Sequence, residues 1–126
     1  MQIIGIGTDI IECERIARML SMYGERFTNH VYTERETLYC AGRKFAEQHF
    51  AGRWAAKEAV MKAFGTGWIS GVSWNDIEVV IQVGGKPIIR LHRGAEQKAS
   101  ELGIAEVLIS ISHCKSYATA TAIAVG

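Results

Sequence analysis

The sequence predicts an α+β fold, a mainly antiparallel sheet with one long helix packed on it. Three observations carry that reading. An alanine-rich stretch of strong helix formers runs from about residue 45 to 64 and stops at Gly65-Thr66-Gly67. Two hairpin patterns follow in the second half, and hairpins join antiparallel strands rather than the parallel strands of a doubly wound sheet. The last strand pattern carries Ala118, Ala120, Ala122 and Ala124 on one face, so a helix should pack very close to it.

In chain order, residues 2 to 10 alternate as a strand, with Ile4, Ile6 and Ile10 on one face and Gly5, Gly7 and Asp9 on the other. Two glycines beside an aspartate either let another backbone approach closely or leave room for a ligand, and both options stay open at this point. From 12 to about 23, Ile16, Met19, Leu20 and Tyr23 recur at helical spacing and Gly24 is a stop, while Arg15, Arg18 and Met22 fall toward solvent. Thr33-Glu34-Arg35-Glu36 matches the capping box and starts a helix through about Ala41. In the long helix Val60, Ala63 and Phe64 form the core stripe, and Trp54, Glu58 and Lys62 share another face. Ile77, Val79, Ile81 and Val83 alternate, Gly84-Gly85 turns the chain, and 87 to 92 returns. Residues 94 to 102 read as a helix stopped by Gly103, and 107–113 and 117–125 as two strands around a turn at Cys114-Lys115-Ser116.

At 126 residues the chain is expected to form one domain, 1–126, large enough for a hydrophobic core without disulfides. Fourteen Lys+Arg against 13 Asp+Glu leave a net charge of +1, which removes the crude electrostatic case for a nucleic-acid partner. No apolar run is long enough for a membrane span, and the first residues lack the basic leader of a signal peptide. Cys13, Cys40 and Cys114 show neither a CxxC pair nor zinc spacing, so reduced cysteines in a cytoplasmic protein are expected.

Several residues invite chemistry. By periodicity alone the Trp54-Glu58-Lys62 face is a solvated stripe with an ordinary Glu-Lys pair. The Gly65-Thr66-Gly67 loop that follows suits phosphate, although the P-loop pattern is missing. Asp9 alone reads as an acid near a helix start. Paired with Glu58, it would supply two hard oxygen ligands of the kind that hold Mg²⁺ while water and phosphate oxygens fill the rest. His113 shares strand parity with Ile109 and Ile111 and reads alone as a locally satisfied histidine. Arg15, Arg18 and Arg26, interleaved with Met19 and Met22, fit equally a solubilising surface and a docking face for an acidic partner.

Gly5-Ile6-Gly7-Thr8-Asp9-Ile10, then 50–59 around Arg53-Trp54-Ala55-Ala56-Lys57-Glu58, then Lys62-Ala63-Phe64-Gly65-Thr66-Gly67 resemble the holo-[acyl-carrier-protein] synthase family. Gly85-Lys86-Pro87, Ser110-Ile111-Ser112-His113 and Tyr117-Ala118 resemble its later blocks. The blocks occur in order and span nearly the whole chain. Trp54 stands where phenylalanine is common in the family.

The resemblance implies a 4′-phosphopantetheinyl transferase fold. It also implies transfer of 4′-phosphopantetheine from coenzyme A to a serine of acyl carrier protein, releasing adenosine 3′,5′-bisphosphate, a step in fatty acid biosynthesis. By the same resemblance Asp9 and Glu58 bind Mg²⁺, and Arg53, Lys62, Gly65, Thr66, Gly67, Ser112 and His113 form the coenzyme A site. Arg15, Met19, Met22 and Arg26 match the carrier-protein docking surface, and the active sites lie between subunits of a homotrimer. Physical logic adds roles: Asp9, Glu58 and Lys62 are the catalytic candidates. A carboxylate, with Glu58 preferred, or a water it holds takes the serine proton, and Lys62 stabilises charge on the leaving bisphosphate. The rival readings are a noncatalytic coenzyme A or nucleotide-binding protein, a ligand-free structural trimer, and a broader transferase acting on large synthases.

Overall fold

Bulk is missing from two strands where the long helix crosses them, and that shapes the molecule. The computed structural model describes residues 1–65, 67–68 and 70–126. Its elements are β1 (Ile3–Glu12), α1 (Cys13–Tyr23), α2 (Glu25–Val31), α3 (Glu34–Ala41), α4 (Ala46–Ala63), a 3-10 turn (Trp74–Asp76), β2 (Ile77–Ile81), β3 (Pro87–Leu91), α5 (Arg93–Glu101), β4 (Glu106–His113) and β5 (Tyr117–Val125). Strands β1, β5 and β4 form one antiparallel sheet in that order, and β2 and β3 form a second antiparallel pair. The α+β reading is correct.

Helix α4 lies on β1 and β5. Ala118, Ala120, Ala122 and Ala124 of β5 are all buried beneath it, as are Ala55, Ala56, Ala59 and Ala63 of the helix. A Cβ placed at Gly5 would run into the Ala63 carbonyl oxygen, and one at Gly7 into the Ala59 carbonyl oxygen. The two glycines therefore serve backbone approach, which resolves the alternative left open by the sequence. Register puts Asp9 opposite buried Ala120, on the helix-facing side, and Ile6 and Ile10 opposite Ile123 and Thr119 on the other. That second face is uncovered: Ile6 is 66% and Ile10 65% exposed.

Two features differ from the sequence expectation. β1 continues to Glu12, so α1 starts at Cys13. Helix α2 was not anticipated, because Gly24 ends one helix and begins the next. With φ 51° it donates its N–H to the Leu20 carbonyl, and its own carbonyl accepts from Phe27 and Thr28. Tyr23, expected in the core stripe, is 45% exposed at this corner.

The predicted capping box at Thr33 and Glu36 is present, and Glu36 does more than cap. Fully buried Lys57 of α4 donates to Glu36 Oε1 at 2.8 Å, to the Trp74 carbonyl at 3.3 Å and to the Ile77 carbonyl. Glu36 also accepts the N–H groups of Thr33 and Val79, each at 2.9 Å. One ion pair thus ties α3, α4, the 3-10 turn and β2 together. Burial pushes the Lys57 amine below its ordinary pKa, against the pull of Glu36.

Candidate active site

The close contact of β1 with α4 brings Asp9 and Lys62 side by side. Lys62 Nζ donates to Asp9 Oδ1 at 3.1 Å and to the Thr8 carbonyl at 3.0 Å. The Lys62 side chain is about half exposed and that of Asp9 mostly covered, so the pair sits at the rim of the contact. The expected i, i+4 partner is passed over: Lys62 crosses to the strand, while Glu58 Oε2 accepts the indole N–H of Trp68 at 3.0 Å. Burial raises the Glu58 pKa, the Trp68 bond opposes that rise, and the nearby charge of Asp9 adds to it. A mostly covered carboxylate paired with a lysine, and a second carboxylate one turn before that lysine, offer donors suited to a cation and to phosphate.

A second group lies toward the N-terminal end of the same helix. Arg53 is 4% exposed, donates from Nη1 to the His49 carbonyl at 3.3 Å and lies over the Tyr39 ring. Its Nε has no partner among the described residues. A small hollow of about 240 Å³ borders it, lined by Arg35, Glu36, Tyr39, Arg53, Val79, Val80 and Ile81. The His49 ring meets His113 edge-on at 5.1 Å, and His113 Nδ1 shares a hydrogen bond with Gln48 Oε1 at 3.0 Å. Burial lowers the His49 pKa, and His113, Arg53 and Arg43 lower it further. The result is a patch of nitrogen donors along one edge of α4 and β4.

The structure separates some residues that are adjacent in sequence. Ser112 pairs with Thr119 and His113 with buried Ala118, so their side chains leave opposite faces of the sheet. Gly65 and Gly67 turn the chain after α4 with φ 81° and 66°; Thr66 lies outside the described residues. On α1, Arg15 and Met22 are exposed, as is Arg26 in α2, while Met19 is half-buried. Met19, Tyr23, Arg26, Phe27 and His30 border a shallow concavity of about 470 Å³.

A model of the 4′-phosphopantetheinyl transferase superfamily matches residues 5–122. This chain belongs to that superfamily. A holo-[acyl-carrier-protein] synthase of Chlamydia pneumoniae is 50% identical over 124 residues, covering 98% of each chain. The crystal structure of the synthase from Neisseria meningitidis superposes with a TM-score of 0.90 at 33% identity, covering 99% of this chain and 100% of that one. The Helicobacter pylori synthase in complex with coenzyme A gives a TM-score of 0.84 at 27% identity, over 95% and 99% of the two chains. The protein is accordingly an enzyme, a phosphopantetheinyl transferase.

Three residues that the sequence reading did not place at the candidate site, Trp68, His49 and Gln48, contact residues that it did. Trp68 had no signal beyond its place after the glycine loop. His49 and Gln48 were hidden because their contacts with His113 bring β4 against α4 across a long sequence separation. Among the described residues no helix is long and apolar enough to cross a membrane.

Proposed function

We propose that this enzyme transfers 4′-phosphopantetheine from coenzyme A to a serine of apo acyl carrier protein, yielding the holo carrier and adenosine 3′,5′-bisphosphate. The observation that carries the proposal is the Lys62–Asp9 ion pair where β1 crosses α4, with Glu58 one turn before Lys62 on the same helix, in a chain similar to a synthase solved with coenzyme A.

The metal of this reading is Mg²⁺. Among the described residues no cluster of three or more His, Cys, Asp and Glu side chains could hold a metal. Two carboxylates are what the donor chemistry requires here, because Mg²⁺ keeps several waters and takes phosphate oxygens beside one or two protein ligands. Burial is the main cause of the raised Glu58 pKa and the charge of Asp9 adds to it; a bound cation would favour the ionised carboxylate against both. Asp9 and Glu58 would hold the ion, which when bound offsets charge on the pyrophosphate and aligns it for attack.

The chain's own groups do the rest. Glu58, half-buried beside Asp9, takes the serine proton. Lys62, one turn on and exposed at the rim, stabilises charge on the leaving bisphosphate. Arg53, with its unpartnered buried Nε, His113 and the loop of Gly65, Thr66 and Gly67 bind coenzyme A phosphates. Arg15, Met19, Met22 and Arg26 receive the acidic carrier protein.

A homotrimer with active sites between subunits completes the reading, with residues 1–126 as one transferase domain. Its support is the uncovered sheet face, where Ile6, Ile10, Leu108 and Tyr117 lie between 41% and 66% exposed. Ser112 emerges on that face, so it would contribute to a neighbour's site rather than its own. The cytoplasm, where three free thiols and coenzyme A coexist, is the compartment that follows.

The test is incubation with Mg²⁺, coenzyme A and apo acyl carrier protein. The carrier should gain the mass of one phosphopantetheine, and the gain should vanish with EDTA. Asp9→Ala and Glu58→Ala should stay folded and inactive; full activity in either would remove the metal assignment.

A further inference from the structure

All three tryptophans of the chain stand in one stack that returns to the helix it started from. Trp54 of α4 stacks on Trp74 of the 3-10 turn at 4.2 Å between ring centroids, and Trp74 meets Trp68 at 4.3 Å. Trp68 then donates its indole N–H to Glu58 Oε2 at 3.0 Å, one helical turn beyond Trp54. The middle ring is itself anchored, because buried Lys57 donates to the Trp74 carbonyl at 3.3 Å. The Trp68 indole is therefore fixed on its face by Trp74 and at its edge by a carboxylate.

We propose that Trp68 is a positioning residue for Glu58, holding one carboxylate oxygen so that the side chain meets metal and substrate in a set orientation. The inference rests on the function proposed above. Neither the stack nor the indole alone would need a carboxylate partner, since an indole N–H on a half-buried ring can be satisfied by water. Donation to Glu58 instead couples the segment after Gly67 to the carboxylate placed at the reaction centre. A carboxylate held this way loses less rotamer freedom when it engages a ligand, which is how preorganisation strengthens binding.

The first measurement uses the protein without metal or coenzyme A. Three stacked indoles give an exciton couplet in circular dichroism, and Glu58→Ala should reduce it toward the amplitude seen in Trp68→Phe. An unchanged couplet in Glu58→Ala would overturn the proposal. The second measures Mn²⁺ binding to the enzyme with coenzyme A by electron paramagnetic resonance. Trp68→Phe keeps an aromatic ring and lacks the donor, so affinity should weaken by roughly three- to tenfold, the scale of one hydrogen bond's net contribution. The Mg²⁺ concentration for half-maximal transfer should rise by the same factor, with KM for carrier protein unchanged. Wild-type binding together with unaltered Mn²⁺ affinity in Trp68→Phe would overturn the role of Trp68 alone. Absence of Mn²⁺ binding in the wild type would overturn the metal reading beneath it.

Discussion

Replacing Lys57 by methionine tests whether the buried ion pair holds the helices around the site. The substitution keeps an unbranched side chain, one atom shorter, and removes its charge. Three donor bonds disappear: to Glu36 Oε1, to the Trp74 carbonyl and to the Ile77 carbonyl. Bonds from charged donors contribute about 1.5–3 kcal/mol each, which gives an upper sum of about 4.5–9 kcal/mol. Glu36 retains the Thr33 and Val79 N–H groups, which offset part of its penalty. The net loss should therefore fall near the 3–5 kcal/mol typical when one partner of a buried pair is removed. Against a total stability of about 5–15 kcal/mol that is severe, and with a urea slope of about 1–3 kcal/mol per molar the midpoint falls by roughly 2 M. Lys57→Met combined with Glu36→Leu should cost clearly less than the sum of the single changes, with a coupling above about 2 kcal/mol. A single-variant loss under about 1 kcal/mol, or additive losses, would refute the reasoning.

Gly7→Ala should cost about 3 kcal/mol or more by denaturation, because its methyl meets the backbone of α4 rather than a movable side chain. Transfer activity should fall with it as Lys62 moves from Asp9. Glu78 gives a pH dependence: burial opposes its ionisation, yet bonds from Thr33 Oγ1 at 2.6 Å and from His92 outweigh that and lower its pKa. Its stabilisation is complete above the ordinary value of 4.5 and is lost as pH falls through the lower folded value. Glu78→Gln should flatten that acid limb in denaturation midpoints measured across the range. Ile6→Glu or Ile10→Glu should yield monomers in sedimentation and lose transfer, if the exposed sheet face joins subunits. Charge reversal at Arg15 or Arg26 should raise KM for carrier protein several-fold and leave KM for coenzyme A nearly unchanged.

Local patterns were legible in the sequence where one element explains itself. The capping box at Thr33, the alanine face of β5 and the hairpin around Gly84-Gly85 each carry their own geometry in a few residues. The class followed from them. Helix α2 was hidden because its start depends on a single glycine that also ends α1, and no periodicity marks a seven-residue helix between two others. At the site, type and spacing left Asp9, Glu58 and Lys62 with ordinary structural readings and the resemblance to the synthase family nominated them, whereas the partner each one chooses was legible in neither. Helical spacing favours Glu58 with Lys62, yet Lys62 turns to a strand 53 positions earlier in the chain. Lys57 was the least legible. A lysine between alanine and glutamate on a long helix looks solvated, and only the packing of three other elements reveals it as wholly buried.

The same helix thus divides its labour by angle. Lys57 and Glu58 are neighbours in sequence, but about 100° of rotation sends one inward and the other toward the rim. The inward lysine fixes the carbonyl of Trp74, Trp74 carries Trp68, and Trp68 holds Glu58. On the opposite flank, the absence of side chains at Gly5 and Gly7 sets how near Asp9 comes to Lys62. The two carboxylates are consequently placed by different means, one by a buried charge acting through a stack of rings and the other by backbone contact. A change at Lys57 should disturb Glu58 before Asp9, and a change at Gly7 the reverse. That order, read from metal affinity against the Lys62–Asp9 contact in the two variants, follows from the packing and would not follow from residue types alone.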